Sequence, residues 1–356
     1  MMSVQSNILQ SYVLKQISEL RTVDSDEVES MFDNISLDQI VKDSDLSADE
    51  IVDTFRLSLI TESLTEQYSS TYRIGAENHK ADWLLDYIVR FWEPDELSHA
   101  DPFKKVLTNF GVESRNLDIE INEARSETAY QHVHASGFHP IALTTYGTLQ
   151  ECITDYWYEL QRDFFPPRSR TSTILSKVKG REALHTVQFR DLTAIQLESD
   201  PYLIDEIIPA VINFKMPGNH IPPVKEIESR TQALLPRMGG EVTELLKRII
   251  NHMHVMLGDK DVLGKLLMKY ASNSEKRFIS SVPNSLISQC VGMIRGGHGL
   301  VGEIVLEQFG LRANEKSVPK NVQEKLAYQL KSIVKRWIRD RMQVEGFLYK
   351  ENSSVI

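Results

Sequence analysis

Apolar residues recur along this chain at spacings of three and four, and runs of strict alternation bounded by turn residues are scarce. The pattern predicts helices nearly throughout and an all-α fold. The segment LSADEIVDTFRLSLITESL carries Ser47 and, three residues later, Glu50, the signature of a capping box. It predicts one long helix from there to about Tyr72. ENHKADWLLDYIVRFW continues helically. HPIALTTYGTLQECITDYWYELQRDFF has Pro140, suited to a first helical turn, and stops at Pro166 and Pro167. SRTSTILSKVKGREALHTVQFRDLTAIQLE is the fourth long segment and ends before Asp200 and Pro201. Four such segments suit an antiparallel bundle. The division expected is N-terminal helices over 1–46, the bundle over 47–218, and a C-terminal helical region packed on it over 219–356, with loops at MPGNHIPP, RMGGE and RGGHG.

Composition narrows the class. With 41% hydrophobic and 25% charged residues, the chain of 356 residues reads as a soluble globular protein. It has no apolar run of about 18 residues, so no membrane span is expected. The first residues, MMSVQSNILQSYVLKQISEL, read as an amphipathic helix and not as a signal peptide. Cys152 and Cys290 are too few for a disulfide framework, which favours a reducing cytoplasm. The net charge of −10 argues against general nucleic-acid binding. Charge is uneven, however. Between Lys316 and Lys350 nine Lys or Arg stand against Glu324, Asp340 and Glu345. On KLAYQLKSIVKRWIRDRM, the residues Lys331, Lys335, Arg336, Arg339 and Arg341 form either a solvated helix face or a docking patch for an acidic partner.

The candidate chemistry lies in two Glu-x-x-His pairs, Glu96 with His99 and Glu182 with His185. Residues three apart on a helix point the same way, so each pair can reach a metal held between helices. One such pair is a weak signal, and surface Glu and His produce it often. The stronger test is a Glu on each of two other helices, as in di-iron bundles. Glu62 in LSLITESLTEQY and Glu151 in TYGTLQECITDYWY meet it, and Glu151 stands in an apolar stripe where an unpartnered charge is costly. Glu66 and Glu159 compete from more polar surroundings. HVH at 132–134 and HMH at 252–254 lack the further ligands of a zinc site. RGGHGLVGE lacks the features of a phosphate loop. Trp92 reads as a packing residue, Tyr156 and Trp157 as core or channel lining, and Cys152 as a small buried hydrophobe.

The ordered pieces ITE at 60–62, WEPDELSH at 92–99, YGTLQECIT at 146–154 and EALH at 182–185 resemble the soluble acyl-carrier-protein desaturases of the plant-plastid and actinobacterial type, as does FKMPG at 214–218. The resemblance covers roughly residues 40–220. It implies a ferritin-like bundle with two iron ions held by Glu62, Glu96, His99, Glu151, Glu182 and His185. It also implies a catalytic role near the irons for Thr154 and allows Trp92 a part in electron transfer. The function implied is oxygen-dependent desaturation of a fatty acyl chain on acyl carrier protein, with a ferredoxin-like electron donor, a homodimer, and a cytoplasmic or plastid-stromal setting. A di-iron hydroxylase or oxidase of a carrier-bound or free substrate is the alternative with the same ligands, and a non-catalytic iron-binding bundle is another. The chain departs from the pattern at Pro94 and Pro102, which flank the first pair and predict a bent or interrupted helix there.

Overall fold

The computed structural model describes residues 4–30, 32–33, 35–127, 139–212, 214–220, 224, 227, 230–256, 271–281 and 332. Among them are helices and turns and no strand, so the fold is all-α. The helices in chain order are α1 (Val4–Ser18), α2 (Ser25–Ser30), α3 (Leu37–Lys42), α4 (Ala48–Glu62), α5 (Thr65–His79) and α6 (Asp82–Tyr87). A π turn over Ile88–Trp92, α7 (Glu93–Glu96), a 3-10 turn over Leu97–His99 and α8 (Ala100–Asn109) follow without a loop. Then come α9 (Ser114–Glu127), α10 (Pro140–Arg162), α11 (Arg170–Ser199), α12 (Ile204–Ile212), α13 (Val242–Met256) and α14 (Asn273–Ser281). None is long and apolar enough to cross a membrane. The basic segment with Lys331, Lys335, Arg336, Arg339 and Arg341 lies outside the described residues, as do HVH, RGGHG and Cys290.

Local chemistry explains most boundaries. Ser47 caps α4 as predicted, its hydroxyl accepting from the Glu50 N–H while the Glu50 carboxylate accepts from the Ser47 N–H at 2.7 Å. The single helix expected from there to Tyr72 is instead two, broken at Ser63–Leu64 directly after Glu62. The cause is a run of hydroxyl side chains that bond back to helix carbonyls: Thr61 to Leu57, Ser63 to Leu59, and Thr65 to Glu62. Such bonds compete with the backbone ladder. Arg125 of α9 satisfies the carbonyl of Ser63 from outside, at 2.9 Å. A second break falls at Lys80, which adopts a left-handed conformation with φ 52° and ends α5.

The segment bearing the first Glu-x-x-His pair is interrupted, as its prolines predict. Pro94 has no N–H to give, and one residue earlier the Glu93 N–H reaches five residues back, to the Ile88 carbonyl. Pro102 falls in the first turn of α8, where its missing N–H is tolerated. α11, by contrast, runs unbroken for 30 residues from its Ser169 cap, and α10 runs for 23 from Pro140.

Two aromatic layers show how these helices run past one another. In one, Phe55 of α4 meets Phe103, Phe110, Phe164 and Phe165 at centroid distances of 5.8–6.4 Å. Tyr158 of α10 joins it through Phe103. In the other, Phe189 of α11 meets Tyr72, Tyr87 and Trp92 at 5.1–5.8 Å. α4 and α11 run from the Phe55 layer to the Phe189 layer, while α6–α8 and α10 run the other way. α8 and α10 thus share a direction, and α9 stands between them in the chain. The N-terminal helices pack outside: α1 on α6 and α11, α2 on α8, α3 on α4.

At Gly147, α10 lies tight against Phe189 of α11. A Cβ there would lie 2.8 Å from the Phe189 ring, which is fully buried. Gly147→Ala is expected to destabilise the chain by about 1–3 kcal/mol through overpacking. The fall in thermal midpoint measures it, and Gly180→Ala, which meets open space on α11, is the control.

Candidate metal centre

Between the two aromatic layers the interior turns polar. Glu62 is the last residue of α4, Glu96 the last of α7, and His99 the last of the 3-10 turn. Glu151 lies in α10, and Glu182 and His185 one turn apart in α11. All six are buried. The π turn and the 3-10 turn together rotate Glu96 and His99 toward the same interior despite the prolines.

Two overlapping groups of donor atoms result. Glu62, Glu96, His99 and Glu182 each bring one donor atom within 4.8 Å of the others, and so do Glu96, Glu151, Glu182 and His185. Glu96 and Glu182 belong to both groups. His99 Nδ1 stands 2.7 Å from Glu182 and 3.9 Å from Glu62, while His185 Nδ1 stands 2.5 Å from Glu96 and 4.0 Å from Glu151. The imidazole rings are stacked with centroids 5.9 Å apart. Both oxygens of Glu182, one oxygen each of Glu96 and Glu151, and both Nδ1 atoms are buried without a hydrogen bond. Buried polar atoms are rarely left so, and a shared focus of carboxylates and imidazoles is the donor set of a metal site.

Electrostatics carry the same signature. Burial pushes the Glu62 carboxyl up to about 7, a rise moderated by the hydrogen bond it accepts from Tyr158. Burial, with mutual repulsion among the carboxylates, pushes Glu96 and Glu182 well above the usual range, and burial raises Glu151 too. Burial drives His99 down to about 3, so it is a neutral imidazole. Among the described residues, no Lys or Arg pairs with these four glutamates. Divalent cations would favour the ionised carboxylates and reverse these shifts.

Three supporting side chains complete the site. Asp95 is fully buried, with His185 Nε2 2.8 Å from one carboxylate oxygen and His99 Nε2 4.0 Å from the other. With Nε2–H directed at Asp95, His185 keeps its Nδ1 lone pair for the interior. Burial opposes ionisation of Asp95, but its hydrogen bond with His185 and the bond from Arg181 hold it below the ordinary range. Trp92 donates its indole N–H to Glu151 at 3.1 Å, and the Tyr158 hydroxyl donates to Glu62. Sequence reading passed over Asp95, Arg181 and Tyr158. Asp95 stands four residues before His99, and Tyr158 stands seven after Glu151, so helical spacing does carry a signal for both.

The competing glutamates lie elsewhere. Glu66 pairs with Arg125 at 3.1 Å, and Glu159 pairs with Arg248 and Lys179. Cys152 is buried on the far side of α10 from the centre, near Asp155 and Arg248, and burial pushes its thiol up to about 12. A cavity of about 720 Å³, counted with its open mouth, reaches Glu62 and Glu96 from outside. Thr154 lines it, as do Trp157 and the Met216–Gly218 stretch of the FKMPG segment. The Thr154 hydroxyl donates to the Gln150 carbonyl at 3.0 Å and has its oxygen free to accept.

No family model, no curated protein and no solved structure matches this chain.

Two outcomes are expected of the centre. Asp95→Asn removes the charge that orients His185 and faces His99, so the affinity for a divalent metal in a chelator competition should fall about 10–100-fold. Unchanged affinity would leave Asp95 as the partner of Arg181 alone. The second concerns pH. A carboxyl whose folded pKa stands above its unfolded value holds its proton more tightly in the folded chain. Its stabilising contribution is full below the unfolded value and is lost as pH rises through the folded one. For Glu62 that window runs from 4.5 to about 7. Metal-free protein should therefore lose stability to urea across it, and Glu62→Gln should flatten the slope.

Proposed function

We propose that this chain is an oxygen-dependent oxidase built on two iron ions, and that it desaturates an acyl chain delivered on acyl carrier protein. The observation that carries the reading is the pair of overlapping buried donor groups sharing Glu96 and Glu182. Two groups with two common carboxylates suit two cations: Glu62 and His99 would hold one, Glu151 and His185 the other, and Glu96 and Glu182 could serve both. Four carboxylates and two imidazoles on four helical segments match the ligand set of ferritin-like di-iron proteins. The resemblance of ITE, WEPDELSH, YGTLQECIT and EALH to the acyl-carrier-protein desaturases supports iron and the acyl substrate.

When bound, the iron pair would supply the reduction of dioxygen and the oxidation of an unactivated methylene. The protein's part is separate. Asp95 accepts from His185 Nε2–H and so leaves the Nδ1 lone pair of His185 for the interior. Tyr158 and Trp92 fix the carboxylates of Glu62 and Glu151. The cavity is walled mainly by apolar surface, so it excludes water and holds an extended chain beside Glu62 and Glu96. Thr154, on that wall one helical turn from Glu151, is positioned to accept or relay a proton. The overall reaction balances when two hydrogens leave adjacent carbons and, with two electrons from a ferredoxin-like donor and two protons, dioxygen is reduced to two waters.

The test is anaerobic reduction of the iron-loaded protein, addition of dioxygen and an acyl-carrier substrate, and mass spectrometry of the product. Loss of two hydrogens is expected. Gain of one oxygen would make the protein a hydroxylase, and bound iron without product would make it an iron-binding bundle. Protein grown with iron should hold about two irons per chain. Glu96→Ala and Glu182→Ala should each lower that content sharply, with Glu66→Gln and Glu159→Gln as controls. Full iron in both alanine variants would overturn the ligand assignment.

A further inference from the structure

The wall of the cavity beside the centre is not uniformly apolar, and its polar atoms divide into two kinds. Most are already bonded within the protein. The Ser58 hydroxyl is bonded to Gln161, those of Thr61 and Thr65 donate to carbonyls of α4, and that of Thr154 donates to the Gln150 carbonyl. Two are different. Gln150 is 7% exposed, and its side-chain oxygen is buried with no hydrogen-bond partner. The orientation of that amide follows from its NH₂ group, which donates to Glu151 at 3.3 Å and leaves the carbonyl oxygen as an unused acceptor. The indole N–H of Trp157 is likewise buried and unpartnered. Both residues line the cavity.

They are seven residues apart on α10, two turns along one face, which separates their backbones by about 10 Å along the helix axis. One is an acceptor and the other a donor. Gln150 adjoins Glu151 at the centre, and Trp157 lies toward the Phe55 layer. A plain hydrocarbon would leave both atoms unpaired, whereas a ligand with a donor and an acceptor about that far apart would pair them.

We infer that this cavity takes a functionalised chain: a hydrogen-bond donor such as a hydroxyl beside Gln150, next to the centre, and an acceptor such as an acyl carbonyl beside Trp157. The inference rests on the reading of the cavity as the acyl site. It narrows the substrate from any acyl chain to one already hydroxylated near the position to be oxidised. A reaction that installs that hydroxyl would have to act earlier.

The test uses the full-length, iron-loaded protein kept reduced and free of oxygen, so that binding is read without turnover. Two probes are titrated calorimetrically: the methyl ester of decanoic acid and that of ω-hydroxydecanoic acid, which adds a donor at the far end of the chain. The hydroxylated ester should bind about tenfold tighter, the effect of one buried hydrogen bond gained. Gln150→Met should abolish the preference. Trp157→Phe should weaken both esters alike, since both carry the carbonyl. Equal affinity of the two esters for the unaltered protein overturns the inference, as does binding of neither, and as does a preference that survives Gln150→Met. The comparison of esters on the unaltered chain needs no variant to fold. Iron content and oxygen-dependent product, measured on the same preparation, report separately on the di-iron reading. Normal iron and product with equal ester affinities would remove the hydroxylated substrate and leave the oxidase.

Discussion

The constraint on which this structure turns is the burial of five carboxylates in one interior. Glu62, Glu96, Glu151, Glu182 and Asp95 converge between two aromatic layers, and Arg181 is the cation that reaches in to them, through Asp95. An uncompensated cluster of this kind opposes folding, because each charge loses its hydration and repels the others. The chain meets the problem in two ways. Asp95 is balanced inside the protein by Arg181 and accepts a hydrogen bond from His185. Burial raises the proton affinity of the four glutamates, and a cation bound there would have to displace their protons. Proton and metal thus compete for one set of oxygens, which couples metal affinity to pH.

Backbone irregularity is concentrated at the same place. α4 ends on Glu62, a π turn immediately precedes α7 and Glu96, a 3-10 turn closes on His99, and Gly147 stands one turn before Glu151. α10 and α11 run past the centre unbroken. α11, which brings in Glu182 and His185 at standard helical spacing, needs no irregularity, so it can run as one straight scaffold. The other segments adjust to it, and each break turns a carboxylate or an imidazole inward that a regular helix with these prolines and hydroxyls would not deliver.

Much of this was legible in the sequence. Helical periodicity marked the all-α class, and Pro140 and the Asp200–Pro201 pair marked the limits of α10 and α11 to within a few residues. Glu62, Glu96, His99, Glu151, Glu182 and His185 could be picked out because ligands must recur on one face of each helix, and the structure brings all six together. What escaped were features without periodicity. The break after Glu62 arises from Thr61, Ser63 and Thr65 competing for carbonyls, and no single one of them signals a helix end. Asp95 stands one turn before His99 and shares its face, but nothing in the sequence says that Arg181, far along the chain, lies beside it. Prolines 94 and 102 argued against a well-formed pair, yet the π and 3-10 turns absorb them.

α10 links the centre to the space beside it. The same helix carries Glu151 toward the buried carboxylates and imidazoles and, at positions one before and two, three, six and seven after, the residues that wall the cavity: Gln150, Ile153, Thr154, Trp157 and Tyr158. Its outer face is clamped by α13, whose Arg248 pairs with Asp155 and Glu159 and lies 4.7 Å above the Tyr156 ring, while Lys179 of α11 joins the same two carboxylates. A helix pinned on one side by ions and on the other by Phe189 against Gly147 has little freedom to shift along its axis. Gln150 and Trp157 therefore keep a fixed distance from Glu151, and whatever occupies the cavity is held in register with the centre by the rigidity of one helix.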